Sequence, residues 1–381
     1  MPDSATLAHS ETVEAFVRQR IDEAGGALSF AEYMQAVLYT PGLGYYAAGS
    51  RKFAEQGDFT TAPEISPLFG QVVAKQCAEV FQDMAEPAII EYGAGTGALA
   101  SVLLATLGEL DALPVRYYIV EVSPDLQARQ QAHLQKTVPD LMSRLEWVAD
   151  PTALVVEGVV LGNEVLDALP AERFRVDEDG QYAQQTVVRE ADELKLAWRP
   201  APPALTKAID ALQVSLAGPL PAGYVSELCL AAPAWLASLA ANLTRGVVLL
   251  SDYGYGQDDY YSPDRDGGTL MCHYRHHAHA DPLFLPGGQD LTTWVNFTQV
   301  AESLDAAGMQ YLGFASQAQF LMQGGIGDWL AGPDVSLALS RGAKTLMMPG
   351  EMGERFRFIG FSKNIATSMS GFSGRDYGWQ L

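Results

Sequence analysis

The stretch that decides the fold is Ala88-Ile89-Ile90-Glu91-Tyr92-Gly93-Ala94-Gly95-Thr96-Gly97, an apolar run that meets an acid and then three alternating glycines. Such a run predicts a short buried strand and a glycine-rich turn, and the Ala- and Leu-rich residues 98–107 predict the following helix. Gly93, Gly95 and Gly97 can adopt positive φ and let a ligand lie against the main chain. The free N–H groups of the helix N-terminus can bind a carboxylate or a phosphate. We therefore expect an α/β sheet with a nucleoside cofactor at this strand end.

Acids at successive predicted strand ends help to identify the nucleoside. Glu91 precedes the first glycine by two residues, where it could meet a cofactor ammonium or an ordered water, whereas a pyrophosphate would gain nothing there. Glu121 follows the strand 116–120 and could accept hydrogen bonds from both ribose hydroxyls, as it could in a dinucleotide enzyme. Asp150 follows the strand 145–148 and could accept from an adenine amino group. This order favours S-adenosylmethionine over NAD, although the turn also fits a relaxed dinucleotide fingerprint and the acids could be solvated loop residues.

Composition and charge exclude several classes of protein. The 381 residues are 48% hydrophobic, which is enough for a large buried core, and no apolar run approaches the ~20 residues of a membrane-spanning helix. A net charge of −22 argues against nucleic acid and would attract a basic substrate, or would only confer solubility. The N-terminal residues resemble no secretory signal, and three widely spaced cysteines form no ligand or disulfide pattern. We therefore expect a cytoplasmic location.

Three kinds of segment follow from the pattern along the chain. Residues 1–85 are expected to form an N-terminal helical cap. Residues 86–170 and 245–381 alternate apolar strands with helices, which predicts a seven-stranded, doubly wound, Rossmann-like α/β core. Residues 171–244 contain short strands and a proline-rich stretch, and we expect an inserted substrate-side subdomain of strands and helices there.

Local signals predict three further helices. The pattern Ser29-x-x-Glu32 is a capping box, and Ser66-Pro67 supplies an N-cap and a first-turn proline for a helix that reaches Phe81. A helix is also expected over residues 291–308.

A histidine-rich segment over residues 268–281 carries His273, His276, His277 and His279. It has no matched cysteine and lacks the paired helical spacing of a zinc site, so no metal is expected. We expect a loop, either a lid in which His276 or His277 takes a proton from the product, or a plain surface loop.

Blocks of sequence spread over almost the whole chain carry a family resemblance. They are residues 41–46, 57–66, 91–97, 162–170, 252–254 and 350–356. In these blocks the chain resembles the class I S-adenosylmethionine-dependent methyltransferases of the MidA type, relatives of a mitochondrial complex I assembly factor that modifies an arginine. The resemblance implies a seven-stranded methyltransferase core and S-adenosylmethionine as donor. For the mitochondrial relatives it implies symmetric dimethylation of an arginine on a complex I subunit. Val165-Leu166 depart from the family, which often has aromatic residues there.

An arginine acceptor would set the roles of polar residues near the fourth core strand. A guanidinium keeps its charge, so carboxylates must hold it by paired hydrogen bonds and leave one nitrogen facing the methyl group. Glu164 is the first candidate, with Asp167 and Asp58 as partners. Asn163 could orient the nucleophile or hold the donor. Alternatively, Asn163-Glu164 could be a helix N-cap with first-turn acids, and Asp167 could act only on the helix dipole.

Three functions remain open from the sequence. They are an arginine methyltransferase that acts on a protein partner, a small-molecule methyltransferase, and an assembly factor that binds the donor without catalysis. A strand-rich insertion at 171–244 would supply an edge for an extended peptide, which favours a protein partner. A pure binder would not need Glu164 and Asp167. We therefore expect a protein-arginine N-methyltransferase, with neither nucleic acid nor a membrane as partner.

Overall fold

A computed structural model describes residues 2–48, 61–331 and 335–381 of the chain. The chain divides into two compact units. The first unit comprises Met1–Phe59, Asp167–Ala232 and Tyr255–Trp294. The second unit comprises Thr60–Leu166, Pro233–Gly254 and Val295–Leu381. None of the described helices is long and apolar enough to cross a membrane.

The strands of the described residues are, in chain order, β1 (Leu28–Ser29), β2 (Ala88–Tyr92), β3 (Arg116–Val120), β4 (Leu145–Val148), β5 (Val156–Asn163), β6 (Glu172–Val176), β7 (Tyr182–Glu190), β8 (Glu193–Pro200), β9 (Val225–Leu228), β10 (Leu243–Tyr255), β11 (Met271–Tyr274), β12 (His277–His279), β13 (Asp290–Thr292), β14 (Val295–Asn296), β15 (Gln310–Ser316) and β16 (Phe356–Lys363). The helices are α1 (Ser4–Glu23), α2 (Phe30–Tyr39), α3 (Ala62–Ile65), α4 (Pro67–Phe81), α5 (Ala98–Glu109), α6 (Pro124–Thr137), α7 (Pro203–Ser215), α8 (Ala232–Ala241), α9 (Gln257–Tyr260), α10 (Phe297–Ala306), α11 (Gln317–Gln323), α12 (Ile326–Leu330) and α13 (Leu337–Met347).

The second unit is built on a mixed sheet of eight strands among the described residues. Seven of them lie in the order β15-β16-β10-β5-β2-β3-β4, and the two-residue strand β14 pairs with β10. Neighbours from β10 to β4 are parallel, and β16 is antiparallel to both β10 and β15. The α/β fold with a large sheet, predicted from the alternating pattern, is confirmed, and the short strand β14 comes in addition to the predicted seven.

The core of the second unit explains why its sequence folds in this way. All five residues of β2 are buried, as its mostly apolar sequence predicts for a central parallel strand, and the burial includes Glu91. Helix α4 packs Leu68, Phe69 and Val72 into the same apolar cluster as Ile89 of β2, and each such side chain stabilises the fold by about 1.5–3 kcal/mol. The predicted cap of α4 is confirmed, because Ser66 Oγ accepts from the N–H of Leu68 at 3.4 Å.

The described residues of the first unit form two antiparallel sheets. One has the order β1-β7-β6-β9 with β8 on the other side of β7, and the second has the order β12-β11-β13. Helices α1 and α2 bury Val17, Phe30 and Tyr33 in one cluster with Cys272 of β11. The predicted capping box is confirmed, since Ser29 and Glu32 cap each other at the start of α2.

Two predicted boundaries differ from these units. Residues 61–85 were expected in the N-terminal cap, but they belong to the second unit because α4 supplies part of its apolar core. Residues 255–294 were expected in the α/β core, but they belong to the first unit, where β11 and β13 pair with each other.

The histidine-rich segment forms a hairpin, so the prediction of an irregular loop is wrong, and its role as a lid stays a prediction. Strand β11 pairs with both β12 and β13, which fixes the backbone of most of the segment. Arg275 and His276 form the two-residue turn at φ 48° and 63°, as expected for a tight hairpin connection. His276 and His277 are exposed. Over the described residues, no three or more His, Cys, Asp or Glu side chains form a group that could hold a metal ion.

The helix predicted over residues 291–308 is wrong at its start. Residues 290–296 form β13 and β14, in keeping with their β-branched content, and α10 begins at Phe297. Asn296 is the N-cap, because its side chain accepts from the N–H groups of Thr298 and Gln299.

We predict that Gly158→Ala destabilises the second unit by about 3 kcal/mol, or about 5–10 °C in Tm. Gly158 adopts φ 145°, and a Cβ there would collide with the carbonyl oxygen of Ala88 on the neighbouring strand. Thermal unfolding followed by circular dichroism measures the change. Gly218→Ala is the matched control, because nothing lies within 4 Å of a Cβ there. Equal stability of the two variants would contradict the close approach of β2 and β5.

Candidate functional site

The candidate site lies in the second unit, at the carboxyl edge of its parallel strands. Strands β4, β3, β2, β5 and β10 are parallel neighbours, so their carboxyl ends lie at one edge of the sheet. The residues at or just after these strand ends are Asp150, Glu121, the turn 93–97 and Asn163-Glu164, and Asp252 follows the last residue of β10 that pairs with β5. Ligands of open α/β sheets bind at this edge. The structure therefore brings the predicted cofactor residues to one side of the molecule.

The glycine turn leaves room above its backbone. Gly93, Gly95 and Gly97 adopt φ 68°, 53° and 83°, and Gly97 is the N-cap of α5 without a side-chain cap. Nothing lies within 4 Å of a Cβ built on Gly95, whereas one on Gly93 would lie 2.6 Å from Cγ1 of Val165. The main chain at Gly95 is therefore open to a ligand, and Gly93 is closed by packing.

Glu91 lies beneath the turn, where it is 2% exposed. Its Oε2 accepts from the hydroxyl of Tyr117 at 2.8 Å. Burial raises the pKa of Glu91 to about 7, although the hydrogen bond from Tyr117 opposes the shift. The described contacts of this carboxylate thus lie inside the sheet, and its contact with a cofactor stays a prediction.

Glu121 lies at the end of β3, and Gln130 of α6 connects it to the glycine turn. Oε1 of Glu121 accepts from the N–H of Ser123 at 2.9 Å, and Oε2 accepts from Nε2 of Gln130 at 3.2 Å. The same Nε2 donates to the carbonyl of Gly95 at 3.0 Å. Burial raises the pKa of Glu121, and the hydrogen bonds from Ser123 and Gln130 limit the rise. Val122 is 60% exposed beside this acid, which leaves an apolar surface at the strand end. Sequence reasoning missed Gln130, because a polar position within a helix carries no signal by itself.

Asp150 lies at the surface and caps a short 3-10 helix. Its Oδ1 accepts from the N–H of Thr152 at 3.0 Å, and this hydrogen bond lowers the pKa of Asp150. The structure accounts for this side chain through local capping, so its role toward adenine stays a prediction.

The chain turns sharply where β5 ends, at Asn163 and Glu164. Glu164 has φ 53°, a left-handed conformation that costs a side-chain-bearing residue about 1–2 kcal/mol. Its N–H donates to the carbonyl of Ser251 on β10 at 2.8 Å. Its Oε1 accepts from Nδ2 of Asn163 at 3.1 Å and from the N–H of Ala62 at 3.4 Å. Oδ1 of Asn163 is buried without a hydrogen-bond partner. This corner therefore carries a carboxylate and an unpaired amide oxygen. No helix starts here among the described residues, so Asn163 is not the N-cap that the sequence also suggested.

Asp252 holds the corner from β10, a role that the sequence did not reveal. It is fully buried, and its Oδ2 accepts from the N–H groups of Val165 and Leu166 at 3.1 and 2.9 Å. Its Oδ1 accepts from the N–H of Tyr253 at 2.9 Å. The only signal was its place in one of the family blocks, since the two partners lie far away along the chain.

The segment around α3 connects the corner to the glycine turn. Ala62 donates to Glu164, and Oε1 of Glu64 accepts from the hydroxyl of Thr96 at 3.1 Å. The described end of the family block 57–66 thus contacts both features. Asp58, predicted to assist Glu164, lies outside the described residues.

Asp167 belongs to the first unit, unlike Glu164. It is 6% exposed, and its carbonyl accepts from the N–H of Thr293 at 2.9 Å. Together with Asp290 it contributes to the raised pKa of Tyr39, after the larger effect of burial. The structure gives no test of its predicted part in catalysis.

The residues at this edge fit S-adenosylmethionine. The open main chain at Gly95 is a cradle that a Cβ would fill, and the buried carboxylate of Glu121 can accept from ribose hydroxyls. The exposed face of Val122 can contact an adenine ring, and the unpaired oxygen of Asn163 can accept an N–H.

Two crystal structures of proteins from Burkholderia thailandensis have this fold. One, bound to S-adenosyl-homocysteine, matches with a TM-score of 0.91 at 37% identity, over 100% of this chain and 99% of that chain. The other, a native structure, matches with a TM-score of 0.89 at 38% identity over the same shares.

Curated relatives are similar over most of their length. The protein arginine methyltransferase NDUFAF7 homolog of Drosophila melanogaster is 30% identical over 374 residues, which are 88% of this chain and 81% of the relative. Protein arginine methyltransferase NDUFAF7 of Homo sapiens is 27% identical over 414 residues, which are 93% and 88%.

The predicted cytoplasmic location is wrong by these comparisons, because both relatives are named as mitochondrial proteins. Cysteines without a disulfide pattern indicate only a reducing environment and do not distinguish one such compartment from another.

A family model for S-adenosyl-L-methionine-dependent methyltransferases matches residues 72–315, more than half of the chain. The match spans the glycine turn, Glu121, the Asn163-Glu164 corner and Asp252, and it confirms the prediction of S-adenosylmethionine over NAD. The chain belongs to this family of S-adenosyl-L-methionine-dependent methyltransferases.

Proposed function

We propose that the chain transfers a methyl group to an arginine side chain of a protein partner, and that Asn163 and Glu164 hold the acceptor. The observation that carries the proposal lies at the end of β5. There the carboxylate of Glu164 accepts from Nδ2 of Asn163, while Oδ1 of the same amide is buried and has no hydrogen-bond partner. The names of the curated relatives, protein arginine methyltransferases, support it. The complex I subunit implied by the family resemblance belongs to the same proposal.

On the donor side the protein binds and orients. S-adenosylmethionine supplies an electrophilic methyl group on a sulfonium sulfur. The main chain at Gly95 and the carboxylate of Glu121 hold the nucleoside part. Gln130 donates to both groups and so fixes the distance between them. Because methyl transfer is an in-line displacement, this rigid placement supplies much of the catalysis. Further donor contacts through Glu91 and Asp150 are part of the proposal.

On the acceptor side the corner must hold a flat cation and leave one nitrogen facing the methyl group. A guanidinium offers five N–H donors in one plane, and a carboxylate accepts two of them side by side. Glu164 supplies the carboxylate, and Oδ1 of Asn163 accepts an N–H of the nucleophile. Transfer would form the N–C bond as the C–S bond breaks, and the guanidinium nitrogen would release one proton to water, so that the methylated guanidinium keeps its single charge. The strained φ of Glu164 fits a residue kept in place for function.

Two further acids belong to the proposal. Asp167 follows Glu164 by three residues, and Asp58 lies in a family block, so both remain candidates for a second carboxylate toward the acceptor.

A protein partner has a suitable strand in the first unit. Among the described residues β8 pairs with β7 alone, so its other side offers backbone groups to an extended peptide. The net charge of −22 favours a basic partner.

Gly95→Val is expected to abolish binding of S-adenosyl-homocysteine, because the new side chain would occupy the open space above the turn. Isothermal titration calorimetry measures the loss. Gly180→Val is a close control, since Gly180 also has positive φ and nothing within 4 Å of a Cβ, but lies in the β6–β7 hairpin of the first unit. Wild-type affinity in Gly95→Val would place the donor elsewhere.

Glu164→Gly should lower methyl transfer about a hundredfold, while stability changes by less than about 1 kcal/mol. Glycine relieves the left-handed strain, and this offsets the hydrogen bonds lost from Ala62 and Asn163. Transfer of labelled methyl groups to arginine is measured in a lysate of cells that lack the gene, and affinity for S-adenosyl-homocysteine should stay unchanged.

Glu157→Gln serves as the control for this variant, because Glu157 is an exposed acid at the opposite end of the same strand. It should retain full transfer. A Glu164→Gly variant that loses donor affinity and transfer to the same degree would assign Glu164 to the donor site. Label in small molecules and not in protein would contradict the proposed acceptor.

A further inference from the structure

Two buried polar atoms without partners lie side by side at the carboxyl edge of the large sheet. Ser251 of β10 is 3% exposed, and its Oγ has no hydrogen-bond partner. Its register partner on the parallel strand β5 is Asn163, whose Oδ1 is also buried and unpaired. Register partners on parallel strands point to the same face of a sheet, and neighbouring strands lie about 4.8 Å apart. The two side chains are therefore direct neighbours.

These two groups are complementary. A serine hydroxyl can donate a proton and turns freely about its bond, whereas an amide oxygen only accepts. Leaving both unpaired in the interior carries the desolvation cost of each group. Because serine has three staggered χ1 positions, its hydroxyl can turn toward a neighbouring side chain.

We propose that Ser251 is a positioning residue of the acceptor site, which donates its hydroxyl proton to Oδ1 of Asn163 and thereby fixes the orientation of that amide. With Oδ1 held by Ser251, Nδ2 of Asn163 must face the carboxylate of Glu164, as it does at 3.1 Å. A flipped amide would place its oxygen against that carboxylate.

The proposal also joins β10 to the corner by a second contact. The carbonyl of Ser251 accepts from the N–H of Glu164 at 2.8 Å. The backbone and the side chain of Ser251 therefore both act on the acceptor site. The second lone pair of Oδ1 stays available for an N–H of the acceptor. This step rests on the proposed function of Asn163 and Glu164.

The first test is spectroscopic and needs no substrate. The sequence contains four asparagines, Asn163, Asn242, Asn296 and Asn364, so selective ¹⁵N labelling gives four side-chain amide signals. In the complex with S-adenosyl-homocysteine, Ser251→Ala should shift the Asn163 signal and speed its hydrogen exchange at least tenfold, with the other three unchanged. An unmoved Asn163 signal would overturn the proposal, whatever the activity of the enzyme.

The second test is kinetic. Ser251→Ala should lower kcat about tenfold, with unchanged KM for the donor and unchanged affinity for S-adenosyl-homocysteine, and Ser251→Thr should restore kcat to within about threefold. Since Ser251 acts through Asn163, adding Ser251→Ala to Asn163→Ala should cause no further loss. Additive losses would overturn the proposal.

Ser362→Ala is the matched control. Ser362 lies on β16 in the same sheet, is 2% exposed, and is paired in register with Val247, toward the other end of β10. It should keep wild-type kcat and leave the Asn163 signal in place. Melting curves of all variants separate a loss of folding from a loss of positioning, and a Ser251→Ala protein that is inactive only because it unfolds would contradict the proposal.

Discussion

The carboxylate of Asp252 holds the short piece of chain on which both sides of the candidate site depend. It accepts from two consecutive backbone N–H groups, those of Val165 and Leu166, while being fully buried. A buried hydrogen bond contributes about 0.5–1.5 kcal/mol net, so the two together are comparable to the strain of about 1–2 kcal/mol at the left-handed residue just before them. The corner after β5 therefore keeps Glu164 in a conformation that the chain would otherwise avoid.

The same interaction reaches the donor side. Val165, held by Asp252, packs where a Cβ on Gly93 would have to go, so the corner supports the first glycine of the turn. On the other side of the turn, Gln130 joins the carbonyl of Gly95 to the carboxylate of Glu121. The residues proposed for the donor and for the acceptor are thus joined by one set of contacts, which would help to fix the alignment that an in-line transfer requires.

The parts of this site that could be predicted are those that depend on a short, continuous stretch of sequence. The turn 93–97 and its preceding strand are confirmed, because alternating glycines after a buried apolar run allow few structures. The roles of Asp252 and Ser251 were not predicted, since their partners lie on another strand and only the parallel register of β5 and β10 brings them together. A hydrogen bond across such a distance leaves no local pattern.

The errors in the fold have the same origin. The start of α10 was missed because Asn296, a strong N-cap, was read as helix interior. Residues 268–281 were read as a loop because their pairing partner, β13, is separated from β11 by a further strand and turn. Residues 255–294 join the first unit because Cys272 and Leu291 are buried in the apolar cluster with α1 and α2. The periodicity of a sequence does not show which cluster an apolar residue joins.

The most direct measurement is quantitative mass spectrometry of arginine methylation in three sets of cells. One expresses the wild-type chain, one expresses Glu164→Gly at equal abundance, and one lacks the gene. The account predicts arginine-methylated peptides that are present with the wild type and lost to the same extent in the other two. Arginine methylation that is the same in all three, with wild-type protein that binds S-adenosyl-homocysteine normally, would contradict it.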